Sequence, residues 1–207
     1  MVKIYSLAGI YIHIPFCKKA CVYCDFHFST SMKNKSELVN CIRKELKVRK
    51  GYLETNQIET IYFGGGTPSL LEKEELQNIL ETIHKEFEVA QDAEITLEAN
   101  PDDLTIEKIK ELKSCGVNRL SIGIQSFVGR DLLFMNRSHT IKQAVESVAN
   151  AKELGFDNMT IDLIYGIPNL TQTEWKRNIQ KALELDVNHI SAYCLTSEER
   201  TAMHHDI

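Results

Sequence analysis

Apolar and polar positions along the 207-residue chain switch repeatedly between two periods. Six short runs have strand character: 9–16, 60–64, 94–99, 119–124, 159–165 and 189–195. Between them, apolar residues recur at helical spacing. Leu76, Ile79, Leu80, Ile83 and Phe87 form one such stripe; Trp175, Ile179 and Leu183 form another. The second helix of that pair opens with Thr171 and Glu174 as a capping box. Gly116 and Gly155 follow helical stretches, where left-handed C-caps belong. Strand alternating with helix predicts an α/β fold with parallel strands and right-handed crossovers.

A parallel strand buried on both faces is apolar throughout. Here one face is polar. Glu94, Thr96 and Glu98 alternate with Ile95, Leu97 and Ala99. Ser121, Gly123 and Gln125 alternate with Leu120, Ile122 and Ile124, and Thr160 and Asp162 with Met159, Ile161 and Leu163. The apolar face is expected to meet the helices. The polar face then lines a lumen or a strand-end cleft, where its groups need ligand or water as partners. An antiparallel sheet wetted on one side is the alternative that the strand–helix rhythm disfavours. The segment Gly116-Val-Asn-Arg-Leu-Ser-Ile-Gly-Ile124 also matches Gly155-Phe-Asp-Asn-Met-Thr-Ile-Asp-Leu163 position by position, as repeated βα units would.

Composition narrows the function classes. With 43% hydrophobic and 26% charged residues, the chain is that of an ordinary globular protein of one or two domains. A net charge of −5 argues against nucleic-acid binding. No apolar run approaches the roughly 20 residues needed to span a membrane. Nothing at the N-terminus has the form of a secretory signal, so a reducing cytoplasmic setting is expected.

The chemistry concentrates in Cys17-Lys-Lys-Ala-Cys21-Val-Tyr-Cys24, just after the first strand-like run. Pro15 helps end that strand, and a loop can turn three thiolates towards one centre. Clustered thiolates suit iron–sulfur clusters or zinc. Three cysteines leave a [4Fe–4S] cluster one ligand short, and an open iron can bind a small molecule. A Cys3His zinc site using His13 or His27 is the structural alternative. Cys41, Cys115 and Cys194 stand alone in the sequence and are expected to be buried small residues. The triple glycine Gly64-Gly-Gly-Thr67-Pro68 follows the second strand; it lacks the Lys-Ser/Thr of a phosphate loop and the glycine spacing of a dinucleotide fold.

The three-cysteine spacing, followed by Asp25-Phe26, resembles the radical S-adenosylmethionine (SAM) superfamily. Within it, the chain is similar to the oxygen-independent coproporphyrinogen III oxidase family, and there most to the haem-chaperone branch. The resemblance runs from Gly9 to about Thr201. It implies a partial (β/α)6 barrel with outer helices, a core domain over 1–207, and a further C-terminal domain expected beyond residue 207. Cys17, Cys21 and Cys24 would hold a [4Fe–4S] cluster whose fourth iron takes the amino and carboxylate groups of SAM. Tyr11 would lie over the sulfonium and cluster region, and Tyr23 would help seat the adenine. Gly65, Gly66 and Thr67 match the segment that receives the amino group. Glu98, Gln125, Arg137 and Asp162 match SAM-contacting positions, and Thr196 is added after the sixth strand. A guanidinium suits the methionyl carboxylate; acidic groups suit the ribose hydroxyls or the ammonium.

The implied chemistry is reductive cleavage of SAM to methionine and a 5′-deoxyadenosyl radical. Three functions follow. The first is a haem chaperone that binds haem, cleaves SAM, and works with an electron donor and a haem-accepting protein. The second is a coproporphyrinogen III oxidase, disfavoured because Phe26 stands where true oxidases carry a further cysteine. The third is a zinc-stabilised module without catalysis. The family's histidine-containing haem motif is expected beyond residue 207. His204 and His205 are read as solvated rather than as its substitutes.

Overall fold

A computed structural model describes residues 7–53 and 57–205. Six strands form one parallel sheet in sequence order. They are β1 (Ala8–Ile14), β2 (Gln57–Gly65), β3 (Glu88–Ala99), β4 (Arg119–Gln125), β5 (Asn158–Tyr165) and β6 (His189–Cys194). All five neighbour pairings are parallel, which removes the one-sided antiparallel alternative. The sheet is an open, partial barrel, with β1 and β6 at its ends. The helices are α1 (Lys35–Val48), α2 (Lys73–Glu86), α3 (Ile106–Ser114), α4 (Gly129–Phe134), α5 (Ile141–Glu153), α6 (Gln172–Glu184) and α7 (Ala202–His205).

The apolar strand face meets the helices as the alternation requires. Phe63, Leu97, Leu120, Ile122 and Ile161 share one core with Leu76, Ile79 and Ile83 of α2, Ile109 of α3 and Val148 of α5. The caps are local sequence effects. Thr171 and Glu174 form the capping box of α6, and Thr140 with Gln143 forms another on α5. Gly116 and Gly155 take φ of 96° and 82°, the left-handed region that a side chain resists.

Two expectations are corrected. The α6 stripe is turned: Asn178 and Ala182 face inward, while Leu183 is 60% exposed. Asn178 causes this, because its amide is tied to the end of β4. It accepts from the Phe127 N–H at 2.9 Å and donates to Ser126 Oγ at 3.1 Å. The isolated cysteines are also not all buried. Cys41 and Cys194 are exposed and Cys115 is half-buried. Cys41 lies on the outer side of α1, and Cys194 ends β6, where it borders the cleft at the strand ends.

Inside the sheet, the polar face divides into two layers. Towards the strand starts, the polar groups pair mainly with one another, although Arg119 Nε is buried without a partner. Arg119 donates to Glu94 at 3.4 Å and to Thr160 Oγ1 at 2.6 Å, and Asn158 donates to Glu94 at 3.3 Å. This network plugs the lumen. The strand ends are left open on the other side, where parallel folds place ligands.

Candidate functional site

A cavity of about 590 Å³ lies at the C-terminal ends of the strands. Cys17, Cys21, Tyr23, Cys24, Gly65, Gly66, Thr67, Glu98, Gln125, Arg137, Asp162 and Thr196 all line it. Of the residues singled out from sequence, Tyr11 is the exception. Its ring is 59% exposed, stacks on Tyr62 with centroids 6.0 Å apart, and lines a separate cavity of about 560 Å³ beside α1. Tyr11 Oη hydrogen-bonds His13 Nδ1 at 3.0 Å, and the His13 Nε2–H donates to the His27 carbonyl at 3.2 Å. His13 and His27 line that second cavity, and neither lines the one that the cysteines share.

Backbone geometry seats the cysteine loop. Cys17 N donates to the Ser29 carbonyl at 3.0 Å, and Ser29 N to the Pro15 carbonyl at 2.8 Å. Gly66 N donates to the Ile14 carbonyl at 2.9 Å. A Cβ on Gly66 would stand 2.7 Å from the Phe16 carbonyl oxygen and 2.8 Å from the Phe16 nitrogen. Glycine is thus required there by the approach of the cysteine loop to the end of β2. Gly65, at φ 111°, turns its N–H onto Glu98 Oε2 at 3.1 Å.

Glu98 and Asp162 bring carboxylates into the cavity from β3 and β5. Glu98 also accepts from Tyr62 Oη at 2.7 Å. Burial raises its pKa above the usual carboxylate range; the Tyr62 and Gly65 donors lower it, and Asp162 raises it further. Burial likewise raises Asp162, against a hydrogen bond from Ser191. Buried carboxylates of this kind favour a ligand that brings donors or positive charge. Gln125 closes β4 at φ 67°, while Ser126 N reaches back to the Ile124 carbonyl at 2.9 Å. This tight three-residue turn is strained for a residue with a Cβ, and it lies at the cavity wall.

Arg137 lies in the loop between α4 and α5, anchored by its N–H on the Leu132 carbonyl at 2.9 Å. Its guanidinium spans the cavity floor. Nη1 donates to Cys21 Sγ at 3.4 Å and Tyr23 Oη at 3.5 Å; Nη2 donates to Asn100 Oδ1 at 2.6 Å and the Gly123 carbonyl at 2.8 Å. Nε is buried without a partner. Burial pushes Tyr23 Oη well above the ordinary phenol range. Burial also raises the Cys17 and Cys24 thiols, so uptake of a metal centre by them releases protons.

All six cysteines are free, and no disulfide competes for the loop. Among the described residues, no three histidine, cysteine, aspartate or glutamate side chains gather as a single metal ion requires. All three cysteines line the cavity. Three thiolates leave one iron of a [4Fe–4S] cluster open, which fits a cavity that continues past them to Gly65, Glu98 and Arg137.

Asn100 was missed from sequence, although its signal was present. The polar face Glu94, Thr96, Glu98 continues by one more step of two to Asn100. Tyr193, which also lines the cavity, likewise extends the polar face of β6.

The parallel open barrel with a thiol-lined cleft at its strand ends defines a class. Residues 11–182 match the radical SAM superfamily, and the chain belongs to that superfamily. Membership implies a [4Fe–4S] cluster and SAM as cofactors. The heme chaperone HemW of Bacillus subtilis is 38% identical over 200 residues, covering 96% of this chain and 53% of that protein. HemW of Escherichia coli K12 is 36% identical over 204 residues, covering 97% and 53%. The solved structure of coproporphyrinogen III oxidase (HemN) from Escherichia coli aligns with a TM-score of 0.82 at 27% identity, covering 91% of this chain and 44% of that one. The chain spans about half the length of the curated relatives it matches. No helix among the described residues is long and apolar enough to cross a membrane.

Proposed function

We propose that residues 1–207 are the radical SAM core of a haem chaperone, which binds haem for delivery to an acceptor protein and reductively cleaves SAM. One observation carries the cofactor half of this reading: the three cysteines and nine of the ten residues expected at SAM line a single cavity. The identities to proteins named heme chaperones support the other half.

Cys17, Cys21 and Cys24 would hold the cluster, and the cavity beside them would take SAM. Bound together, these cofactors supply one-electron cleavage of a carbon–sulfur bond and so a source of hydrogen-abstracting radical. The protein's part is orientation. Arg137 offers a guanidinium to the methionyl carboxylate, with Nε still free of partners. Glu98 and Asp162 accept from ammonium or ribose hydroxyls. Gly65, Gly66 and Thr67 bring backbone and a hydroxyl close to the amino group, and Gln125 and Thr196 complete the wall. Tyr23 offers its ring to the adenine. Tyr11 reaches the site only from the edge, through Gly64 and Glu98: a Cβ on Gly64 would stand 2.9 Å from the Tyr11 ring and 3.1 Å from Glu98 Oε1. The free cysteines suit a reducing cytoplasm. An electron donor protein and a haem-accepting protein are the partners.

Phe26 is 71% exposed at the cavity mouth and offers no thiol there. No conversion of coproporphyrinogen III is therefore expected. Anaerobic reconstitution with iron and sulfide tests the proposal. About four irons and four sulfides per chain are expected, with Cys21→Ser abolishing uptake. Stoichiometric zinc with no iron uptake sinks the cluster, and protoporphyrinogen formed above a cluster-free control sinks the chaperone assignment.

A further inference from the structure

A chain of hydrogen bonds begins on one cysteine sulfur and ends on another, and Asn100 is its middle. Arg137 Nη2 donates to Asn100 Oδ1 at 2.6 Å, and Arg137 Nη1 donates to Cys21 Sγ at 3.4 Å. Asn100 Nδ2 donates to Thr67 Oγ1 at 3.4 Å, and Thr67 Oγ1 donates to Cys17 Sγ at 3.5 Å. The direction of every bond follows from chemistry. A guanidinium carries donors only, so the amide oxygen must face Arg137 and the amide NH2 must face Thr67. Thr67 then accepts from Asn100, and its single O–H is left for Cys17. Cys24 lies outside the circuit and is served by the backbone of Phe26.

Asn100 is free for this task. It follows β3 and precedes the 3-10 turn Pro101–Asp103, but its side chain makes no capping bond to that turn. Only its backbone carbonyl does so, accepting from Asp103 N at 3.0 Å. The side chain therefore serves the two donors and not the local fold.

We propose, on the assignment of the three cysteines as cluster ligands, that Asn100 is the positioning residue that aims the Thr67 and Arg137 donors at Cys17 and Cys21, and so raises the reduction potential of the cluster they hold. A donor on a ligating sulfur draws electron density from it and favours the reduced, more negative state. Hydrogen bonds to the sulfurs are among the main determinants of iron–sulfur potentials. Asn100 sets two such bonds with one amide. The Thr67 arm depends on it more, because the Gly123 carbonyl also holds Arg137 Nη2, at 2.8 Å.

The test is an EPR-monitored redox titration of anaerobically reconstituted protein without SAM. Asn100→Leu should lower the midpoint potential, disfavouring reduction on the order of tenfold, ~59 mV for one electron. Thr67→Val should lower it by part of that amount. Adding Thr67→Val to Asn100→Leu should shift it little further, because the hydroxyl has already lost its aim. Should Asn100→Leu hold no iron, Asn100→Ala gives the same readout without added bulk. An unchanged potential at full iron occupancy overturns the proposal, as does full additivity in the double variant. Loss of iron from both Asn100 variants with intact circular dichroism also overturns it, in favour of a role in shaping the loop. Failure of the unsubstituted protein to load iron refutes the cluster assignment instead.

Discussion

Lys18, the residue after the first cysteine, reaches across to Asp102 beyond the end of β3, with Nζ 2.9 Å from Oδ2. It also pairs with Asp103. These aspartates tie four loops together. Ser138 Oγ donates to Asp102 Oδ1 at 2.7 Å, and Ser69 Oγ donates to Asp103 Oδ2 at 2.6 Å. The cysteine loop, the glycine segment, the β3 exit and the loop before α5 are thereby fixed to one another. Burial raises the Asp102 pKa, but the Lys18 and Ser138 hydrogen bonds outweigh it and hold the carboxyl below the usual range.

Lys18→Met is therefore expected to destabilise the protein by about 1–2 kcal/mol, since it leaves two largely buried aspartates without their cation. Urea unfolding of the metal-free chain measures this. A lowered carboxylate pKa contributes stability that is present above the ordinary value near 4 and is lost as pH falls through the folded value. The gap between the two proteins should close in that acid range. An equal midpoint at neutral pH would mean that Lys18 swings free in solution.

His139 carries a second pH dependence, of opposite chemical origin. Its ring is buried, and its Nε2–H donates to the Ile124 carbonyl at 3.0 Å. Burial, aided by the Arg137 charge, lowers its pKa to about 4. The folded protein thus keeps the ring neutral while the unfolded chain protonates near 6.5. Stability from this residue is complete above that value and declines as pH falls towards 4, by roughly 3 kcal/mol in full. His139→Gln keeps a donor for Ile124 but does not titrate. It should flatten the stability profile between about pH 6.5 and 4, measured by thermal unfolding across a pH series. An unaltered slope would place the acid sensitivity elsewhere.

The βα repeat extends to a third copy that glycine counting misses. Asp186-Val-Asn-His-Ile-Ser-Ala-Tyr-Cys194 follows α6 as Gly116 and Gly155 follow α3 and α5, and Asp186 takes the same left-handed turn at φ 49°. The asparagine two residues on does the same work in two copies. Asn118 Oδ1 accepts from Ile95 N at 2.8 Å, and Asn188 Oδ1 accepts from Met159 N at 3.1 Å, so each ties an incoming strand to its neighbour. Asn118 also donates to the Ala93 carbonyl at 2.8 Å. Asn118→Ala should cost about 1–3 kcal/mol, because it leaves two part-buried backbone groups unpaired. Asn188→Ala should cost less, since it loses one such bond rather than two, at the exposed end of the sheet. Denaturant titration of both variants checks the order.

What could be read in advance depended on whether a period survived. The six strands and the polar lumen face were legible because Glu98, Ser121 and Asp162 alternate strictly with apolar neighbours. The cavity lining followed from that face and the three-cysteine resemblance. Asn100 was not read because Pro101 ended the strand pattern one step early. Helix α4, six residues long, is too short to show a helical period, so the pattern does not reveal the helix that leads to Arg137. The inward turn of α6 was hidden because an apolar count favours Ile179 and Leu183, whereas the hydrogen bonds of Asn178 decide which side faces the sheet.

Among the residues proposed to contact SAM, Arg137 is expected to be the most informative, because it also touches a proposed cluster ligand. Residues 116 apart in sequence meet where Nη1 donates to Cys21 Sγ at 3.4 Å. The same guanidinium would serve the carboxylate of SAM. Losing a charge-assisted hydrogen bond typically costs on the order of 1.5–3 kcal/mol. Arg137→Ala should therefore weaken SAM binding roughly tenfold to hundredfold. Arg137→Lys should restore only part of it, since lysine keeps the charge but loses the planar fork that reaches Asn100 and Gly123 together. Iron content should survive in both, because no cysteine is replaced, while Cys21 loses its side-chain donor. Equilibrium dialysis with labelled SAM on cluster-loaded protein, with iron assayed in the same samples, separates the two effects. Unchanged affinity in Arg137→Ala at full iron would assign this arginine to bracing Asn100, Gly123 and the cysteine loop, and would leave Glu98, Gln125 and Asp162 to hold SAM without it.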